Sequence, residues 1–143
     1  MIGQMCVKPV VTVSPTVSVH EAARLMRAKN VGALVVANSS KPQGMLTDRD
    51  IATGVVAQGR DPMTTTVGDV MRRNPAVIRE DRGLFDAVRL FDAKGVRRLP
   101  VVSKSGKLIG IVALDDLLML LGREMSHVAS ALSRGLGRSR LAA

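Results

Sequence analysis

Tryptophan and tyrosine are absent from this chain of 143 residues, and phenylalanine occurs twice. Proteins that grip RNA or single strands stack bases on aromatic side chains, so that class of partner is not expected. Duplex contact through phosphates alone needs no rings and survives this shortage. Cysteine occurs once, as Cys6, which removes any internal disulfide. His20 and His127 stand far apart, and no spacing suits a metal site. No apolar run approaches the roughly 20 residues that span a bilayer. The longest, around Leu117 to Leu121, is flanked by Asp115, Asp116 and Arg123. The opening MIGQMCVKPVV has neither a basic stretch before an apolar one nor a small-residue cleavage site. A cytoplasmic location without membrane contact is expected. Acids are also scarce: 12 Asp and Glu stand against 21 Lys and Arg, a net charge of +9. Such a surplus favours anionic partners, whether nucleic acid, membrane surface or small phosphorylated ligands.

What the chain does contain is a repeat. The length suits one ordinary domain, and 46% hydrophobic with 23% charged residues suits a globular one. Setting EAARLMRAKNVGALVV (21–36) over DAVRLFDAKGVRRLPV (86–101) gives eight identities in sixteen positions, a duplication at an offset of 65. After a one-residue slip Gly44 aligns with Gly110 and Asp50 with Asp116. Each copy begins with a β-rich run, Val10 to Val13 and Ala76 to Ile78. A helix follows, with apolar residues at helical spacing: Val19, Ala22, Ala23 and Met26, then Leu84, Ala87, Val88 and Phe91. Ser18 and Glu21 have capping-box spacing, which starts the first helix at about residue 18, and Asn30 and Gly95 supply left-handed stops. Two strands come next, 33–37 with 43–47 and 98–103 with 108–113, joined by NSSKP and KSGK turns. A second helix runs from about 48 to 58, and its counterpart from about 114 onward. In the connection, Thr66-Val67-Gly68-Asp69 caps one short turn.

The order is therefore β-α-β-β-α, twice, an α/β (α+β) fold. The expected division is a first repeat over 1–60, a linker over 61–69, a second repeat over 70–124, and a helical extension with a basic tail over 125–143. Units this small bury too little alone, so they should pack face to face about a pseudo-twofold axis and leave a ligand-sized cleft.

A doubled unit with NVGALVV and GVRRLPVV before a hairpin, and GMLTDRDI and GIVALDDL after it, resembles a tandem pair of cystathionine β-synthase (CBS) domains over residues from about 5 to 122. The resemblance implies a regulatory module, without a catalytic domain, that binds AMP, ADP, ATP or S-adenosylmethionine between the repeats. No cofactor is required, the adenine nucleotide being the regulatory ligand.

In that family a G-h-h-[TS]-x-x-D pattern holds phosphate and ribose. The resemblance assigns Thr47 to a phosphate or ribose oxygen and Asp50 to the ribose diol, whose two donors one carboxylate accepts. The helix start beside them suits a phosphate. Gly110-Ile111-Val112-Ala113-Leu114-Asp115-Asp116 keeps the glycine and Asp116 but has Ala113 in place of the hydroxyl. Where the first copy has Gly32-Ala33, the second has Arg97-Arg98, and family members use a basic residue there for phosphate. One nucleotide site is expected, from Thr47 and Asp50 with Arg98, joined by Arg97 or Arg49, while Thr12, Val13 and Ala33 line the base. Thr47 and Asp50 also read as a plain capping box.

No Ser/His/Asp order, metal spacing or phosphate-loop GxxxxGK[ST] supports catalysis. Leu114, Leu118, Leu121, Met125, Val128 and Leu132 form a heptad-like seam whose later part is expected to meet a second copy in a homodimer. The closing SRGLGRSRLAA reads as disordered. A ligand-free interaction or dimerisation module is the alternative function, and a basic nucleic-acid binder ranks behind it. A regulated protein partner belongs to the sensor reading.

Overall fold

The computed structural model describes the backbone of residues 1–142 and the side chains of residues 1–137. Its elements run α1 (Ile2–Met5), β1 (Thr12–Val13), α2 (Val19–Lys29), β2 (Ala33–Asn38), β3 (Lys41–Thr47) and α3 (Asp48–Ile51), which passes into a π-helical turn at Ala52–Val56. There follow α4 (Val67–Val70), β4 (Arg72–Arg73), β5 (Ile78–Arg79), α5 (Leu84–Lys94), β6 (Arg98–Val102), β7 (Leu108–Ala113) and α6 (Leu114–Ala142). Two small sheets result, β1-β2-β3-β4 and β5-β6-β7. In each, a short first strand pairs in parallel with the second, and the second pairs antiparallel with the third.

The helix boundaries follow their caps. The Ser18 hydroxyl accepts from the Glu21 amide at 3.1 Å, and Asn30 closes α2 at φ 53°. Gly95 closes α5 at φ 61°, a conformation that costs glycine nothing. In α4 the Asp69 carboxylate accepts from the Thr66 amide at 3.0 Å. That backbone hydrogen bond, with the Thr66 hydroxyl behind it, holds the Asp69 carboxyl below its ordinary value.

Several expected boundaries move. The first strands shrink to Thr12–Val13 and Ile78–Arg79, each pairing with the next strand over two residues. The first hairpin turn is Ser39-Ser40 alone, with Ser39 at φ 62°. Pro42 stays in the strand because a register shift at Val36/Ala37 places it beside a bulge, where a missing N–H is tolerated.

The units that pack also differ from the units that repeat. Residues 1–7 were expected in the first repeat, yet Ile2 is fully buried with Ile78, Ala87, Phe91, Leu99, Val101, Val112 and Leu117. Ile2 and Gly3 donate to the carbonyls of Arg82 and Glu80 at 2.8 and 3.0 Å, and Val7 bridges Ile111. Reciprocally, Val67 of α4 is buried with Val13, Ala22, Met26, Leu34, Val36 and Leu46, and β4 pairs with β3. Thus the stretch expected to be linker, together with the start of the second repeat, completes the first core. Each glycine that opens the repeated motif lies under the crossing segment. A Cβ on Gly44 would sit 2.9 Å from the Arg72 carbonyl, and one on Gly110 would press on Cys6 and lie 3.2 Å from the Val7 carbonyl.

Helix α6 departs furthest from expectation. It buries Leu117, with Leu114 packed beside it, whereas the seam residue Leu118 is 59% exposed. Spacing of three and four residues satisfies both the core stripe and the outer seam, and contact with β7 and α5 decides between them. The tail expected to be disordered continues the helix to Ala142, since a helix satisfies its backbone within itself and each glycine weakens it by only about 1 kcal/mol. Ala143, and the side chains of Arg138 and Arg140, lie outside the described residues. Among the described residues no helix is long and apolar enough to cross a membrane.

Candidate functional site

Strand β3 delivers Thr47 to the edge of the first sheet, opposite Ala33 on β2. The chain turns there into α3, and the Asp48 amide donates to the Gly32 carbonyl at 3.0 Å. The second copy repeats this link, with the Leu114 amide donating to the Arg97 carbonyl at 2.8 Å. Thr47 and Asp50 form a reciprocal box: the hydroxyl accepts from the Asp50 amide at 3.1 Å, and Asp50 Oδ2 accepts from the Thr47 amide at 3.0 Å. Asp50 is 8% exposed, and its other oxygen, Oδ1, accepts from Arg72 Nε at 3.1 Å. Both oxygens are thus engaged, one by the cap and one by an arginine that the sequence reading did not single out. Helix α3 runs without a break into the π-helical turn, so helical backbone continues from Asp48 to Val56 behind this corner.

Beside this corner lies a cavity of about 640 Å³, within the range that holds small-molecule ligands. Three stretches wall it: Met45 with Thr47 to Arg49, then Arg72 to Ala76, then Lys94 to Arg98. It therefore joins the first copy's motif to the loop between α5 and β6 of the second. Gly32 keeps the approach open, because a Cβ there would stand 3.0 Å from Asp48 Oδ2 and 3.7 Å from an Arg98 guanidinium nitrogen.

Of the expected site residues, Thr47, Arg49, Arg97 and Arg98 line this cavity together. Asp50 sits behind its wall, connected through Arg72. Arg97 is held by Asp115 at 2.8 Å on the exposed surface. Thr12, Val13, Ala33 and Asp116 are not brought to the cavity. Val13 is in the first core, Thr12 is exposed beside Val35, Ala33 is half-buried behind Thr47, and Asp116 is exposed on the first turn of α6. Sequence reasoning missed Arg72, Arg73 and Lys94. The basic pair Arg72-Arg73 follows the capped turn at 66–69, and this was a readable signal. Lys94 matches Lys29 in the repeat and so resembled a shared structural feature. A second groove, of about 440 Å³, runs along α6 between Val128 and Leu136 and is wholly apolar in its side chains. Among the described residues no group of three His, Cys, Asp or Glu side chains could hold a metal ion.

Comparison with known proteins gives this geometry a family. A CBS domain model matches twice, over residues 2–57 and 67–123. The CBS domain-containing protein YhcV of Bacillus subtilis is 46% identical over 108 residues, covering 76% of each chain. The protein MK0525 of Methanopyrus kandleri is 38% identical over 120 residues, 83% of this chain, which spans 61% of that protein's length. Among solved structures, the CBS domain pair of protein MJ0100, in complex with 5′-methylthioadenosine and S-adenosyl-L-methionine, superposes with a TM-score of 0.78 at 26% identity, covering 87% of this chain and 97% of that one. Both family matches begin at the crossing helices α1 and α4, so the repeated sequence unit includes the segment that each copy lends to the other. With two matched copies spanning most of its length and built as two such interlocked units, the chain belongs to the CBS domain family, as a tandem pair.

Proposed function

We propose that the chain is a cytoplasmic, non-catalytic regulatory module that binds an adenine nucleotide or related adenosyl compound in the cavity between its repeats and passes occupancy to a protein partner. One observation carries this reading: Thr47 from the first copy and Arg97 and Arg98 from the second wall the same 640 Å³ space. The adenosyl ligands held by the MJ0100 pair support it. Asp50 takes the ribose diol by exchanging its bond to Arg72, whose side chain is 69% exposed and free to swing. A thermal-shift screen of AMP, ADP, ATP, 5′-methylthioadenosine and S-adenosylmethionine tests the reading. Ligand at about 100 times its dissociation constant adds roughly 2.7 kcal/mol, which raises the midpoint by several degrees. No shift with any of the five favours the alternative of a ligand-free interaction module, for which the fully engaged Asp50 carboxylate and Ala113 already speak.

The same proposal includes a homodimer through α6. Beyond Leu121 this helix leaves its own domain, and Met125, Val128, Leu132 and Leu136 are each more than half exposed along one stripe. Ala131 and Gly135 lie beside them without charge, so two copies meet there with no like-charge repulsion. Leu132→Glu places two carboxylates on that seam. Light scattering should then give the monomer mass where the unmodified protein gives twice that value, and a monomeric unmodified protein rejects the dimer.

A further inference from the structure

Helix α6 carries more apolar surface than its own unit covers. From Gly122 to Gly137 every residue is exposed, so about 24 Å of helix stands clear of the body. Gly122, Gly135 and Gly137 weaken that stretch, and a helix of this length is marginal in water unless its apolar face is packed. The uncovered surface also reaches back beside the body, where Leu118 and Met119 are 59% and 68% exposed next to the buried Leu117. Further along, the groove between Val128 and Leu136 is open at Ala131 and Gly135, whose side chains are too small to fill it. One half of the helix thus presents a protruding leucine, and the other a shallow apolar hole. We infer that, granted the homodimer reading above, the two α6 helices run antiparallel, so that Leu118 of each copy fills the hole at the partner subunit's Gly135.

In that register Leu121 meets the partner's Leu132 and Met125 meets the partner's Val128. The twofold axis repeats each contact, which closes the interface on itself. Positions 118, 121, 125, 128, 132 and 135 form one continuous seam at spacings of three and four, so the contacts stay on a single face. Between Leu118 and Leu136 the flanking positions hold Gly122, Glu124, Ala129, Ala131 and Leu136, with one charge among them, and the helices can approach closely. Parallel helices would instead set Leu118 against Leu118 and Gly135 against Gly135, leaving the hole unfilled. Charge favours the same choice. Asp115 and Asp116 open α6, and Arg134 lies towards its other end. Antiparallel pairing brings Arg134 within about one turn, along the axis, of the partner's Asp115 and Asp116, and it opposes the two helix dipoles. A parallel pair stacks like charges at the same height. Knob, hole and charge polarity all belong to one helix, so the occupant is a second copy of this chain.

Cross-linking tests the direction. Two full-length variants, Leu118→Cys and Gly135→Cys, are oxidised separately and as an equal mixture, with the unmodified protein as the control for the half-buried Cys6. Both positions are exposed, and a thermal melt checks that each variant is folded. The expected result is disulfide-linked dimer in the mixture and almost none in either variant alone. In an antiparallel pair two like positions stand about 25 Å apart along the axis, whereas a disulfide needs Cα atoms within about 7 Å. Parallel helices give the reverse, each variant linking to itself, and that pattern overturns the inference while leaving the dimer. No linked dimer in the mixture overturns it as well. Leu118→Glu supplies a readout free of disulfides: light scattering should give the monomer mass, because Leu118 lies inside the interface. A dimer that survives Leu118→Glu is held by the overhanging halves alone, which rejects the register. A monomeric unmodified protein removes the homodimer reading itself, so the two failures are told apart.

Discussion

Ile2→Ala is expected to lower the unfolding free energy by about 2–4 kcal/mol, and the melting midpoint by roughly 6–12 °C for a chain of this size. The substitution sits at the second residue of the sequence, where end fraying would ordinarily make it harmless. Ile2 is nevertheless fully buried, in contact with the second unit's core rather than the first's. Removing its branched side chain leaves a void among close-packed neighbours, and the surrounding strands relax only partly. The crossing segment is also held by its backbone, since Val7 and Ile111 exchange hydrogen bonds at 2.9 and 3.2 Å. Val7→Ala serves as the control, because that side chain is 53% exposed and its truncation should change stability by under about 0.5 kcal/mol. Urea unfolding of both variants measures the difference. A shift below 0.5 kcal/mol for Ile2→Ala would mean that the first segment does not complete the second core.

That exchange marks the boundary of what the sequence made legible. The duplication, the helices α2 and α5 with their caps, the paired strands and the capped turn at Thr66 all rest on local signals: periodicity, hydroxyl and carboxylate spacing, and left-handed stops. Each is decided within a few residues, so one sequence suffices. Which copy a segment packs against is decided by contacts far along the chain, with residues 78 to 117 for Ile2 and residues 13 to 46 for Val67, and no pattern in IGQM or VGDV states it. The two glycines give the only local trace. Gly44 and Gly110 are bare because backbone from the other copy passes over them, yet a glycine in a strand is equally readable as a bulge.

The site divides in the same way. Thr47 and Asp50 were readable because motif and cap coincide, and Arg97-Arg98 because the two copies differ there. Arg72 escaped notice because its role depends on β4 pairing with β3, which aims its guanidinium at Asp50, 22 residues back in sequence. The outer seam of α6 was readable as a pattern. Which of its residues turn inward was not, because the core stripe through Leu117 and the seam through Leu118 share a helix and nearly share a period.

Asp50 is where fold and function compete most directly, and substitution separates the two. Asp50→Ala is expected to lower stability by about 1–2 kcal/mol, since it removes the acceptor for the Thr47 amide and leaves that N–H in a half-buried corner. The lost contact to Arg72 adds little, because a guanidinium that is 69% exposed recovers water. Nucleotide affinity should fall by tenfold or more in the same variant, but a disturbed corner alone could cause that. Asp50→Asn answers the ambiguity. The amide keeps the side chain's volume and one acceptor oxygen for the Thr47 cap, so the midpoint should stay within about 3 °C. Against a ribose diol, however, it presents one oxygen and one NH2 group where the carboxylate presents two acceptors, and the charge assistance is gone. Affinity measured by calorimetry is therefore expected to drop by about tenfold while the melt barely moves. If Asp50→Asn binds ATP as the unmodified protein does, the carboxylate is a cap tied to Arg72 and the ribose must be held by other groups along the cavity wall.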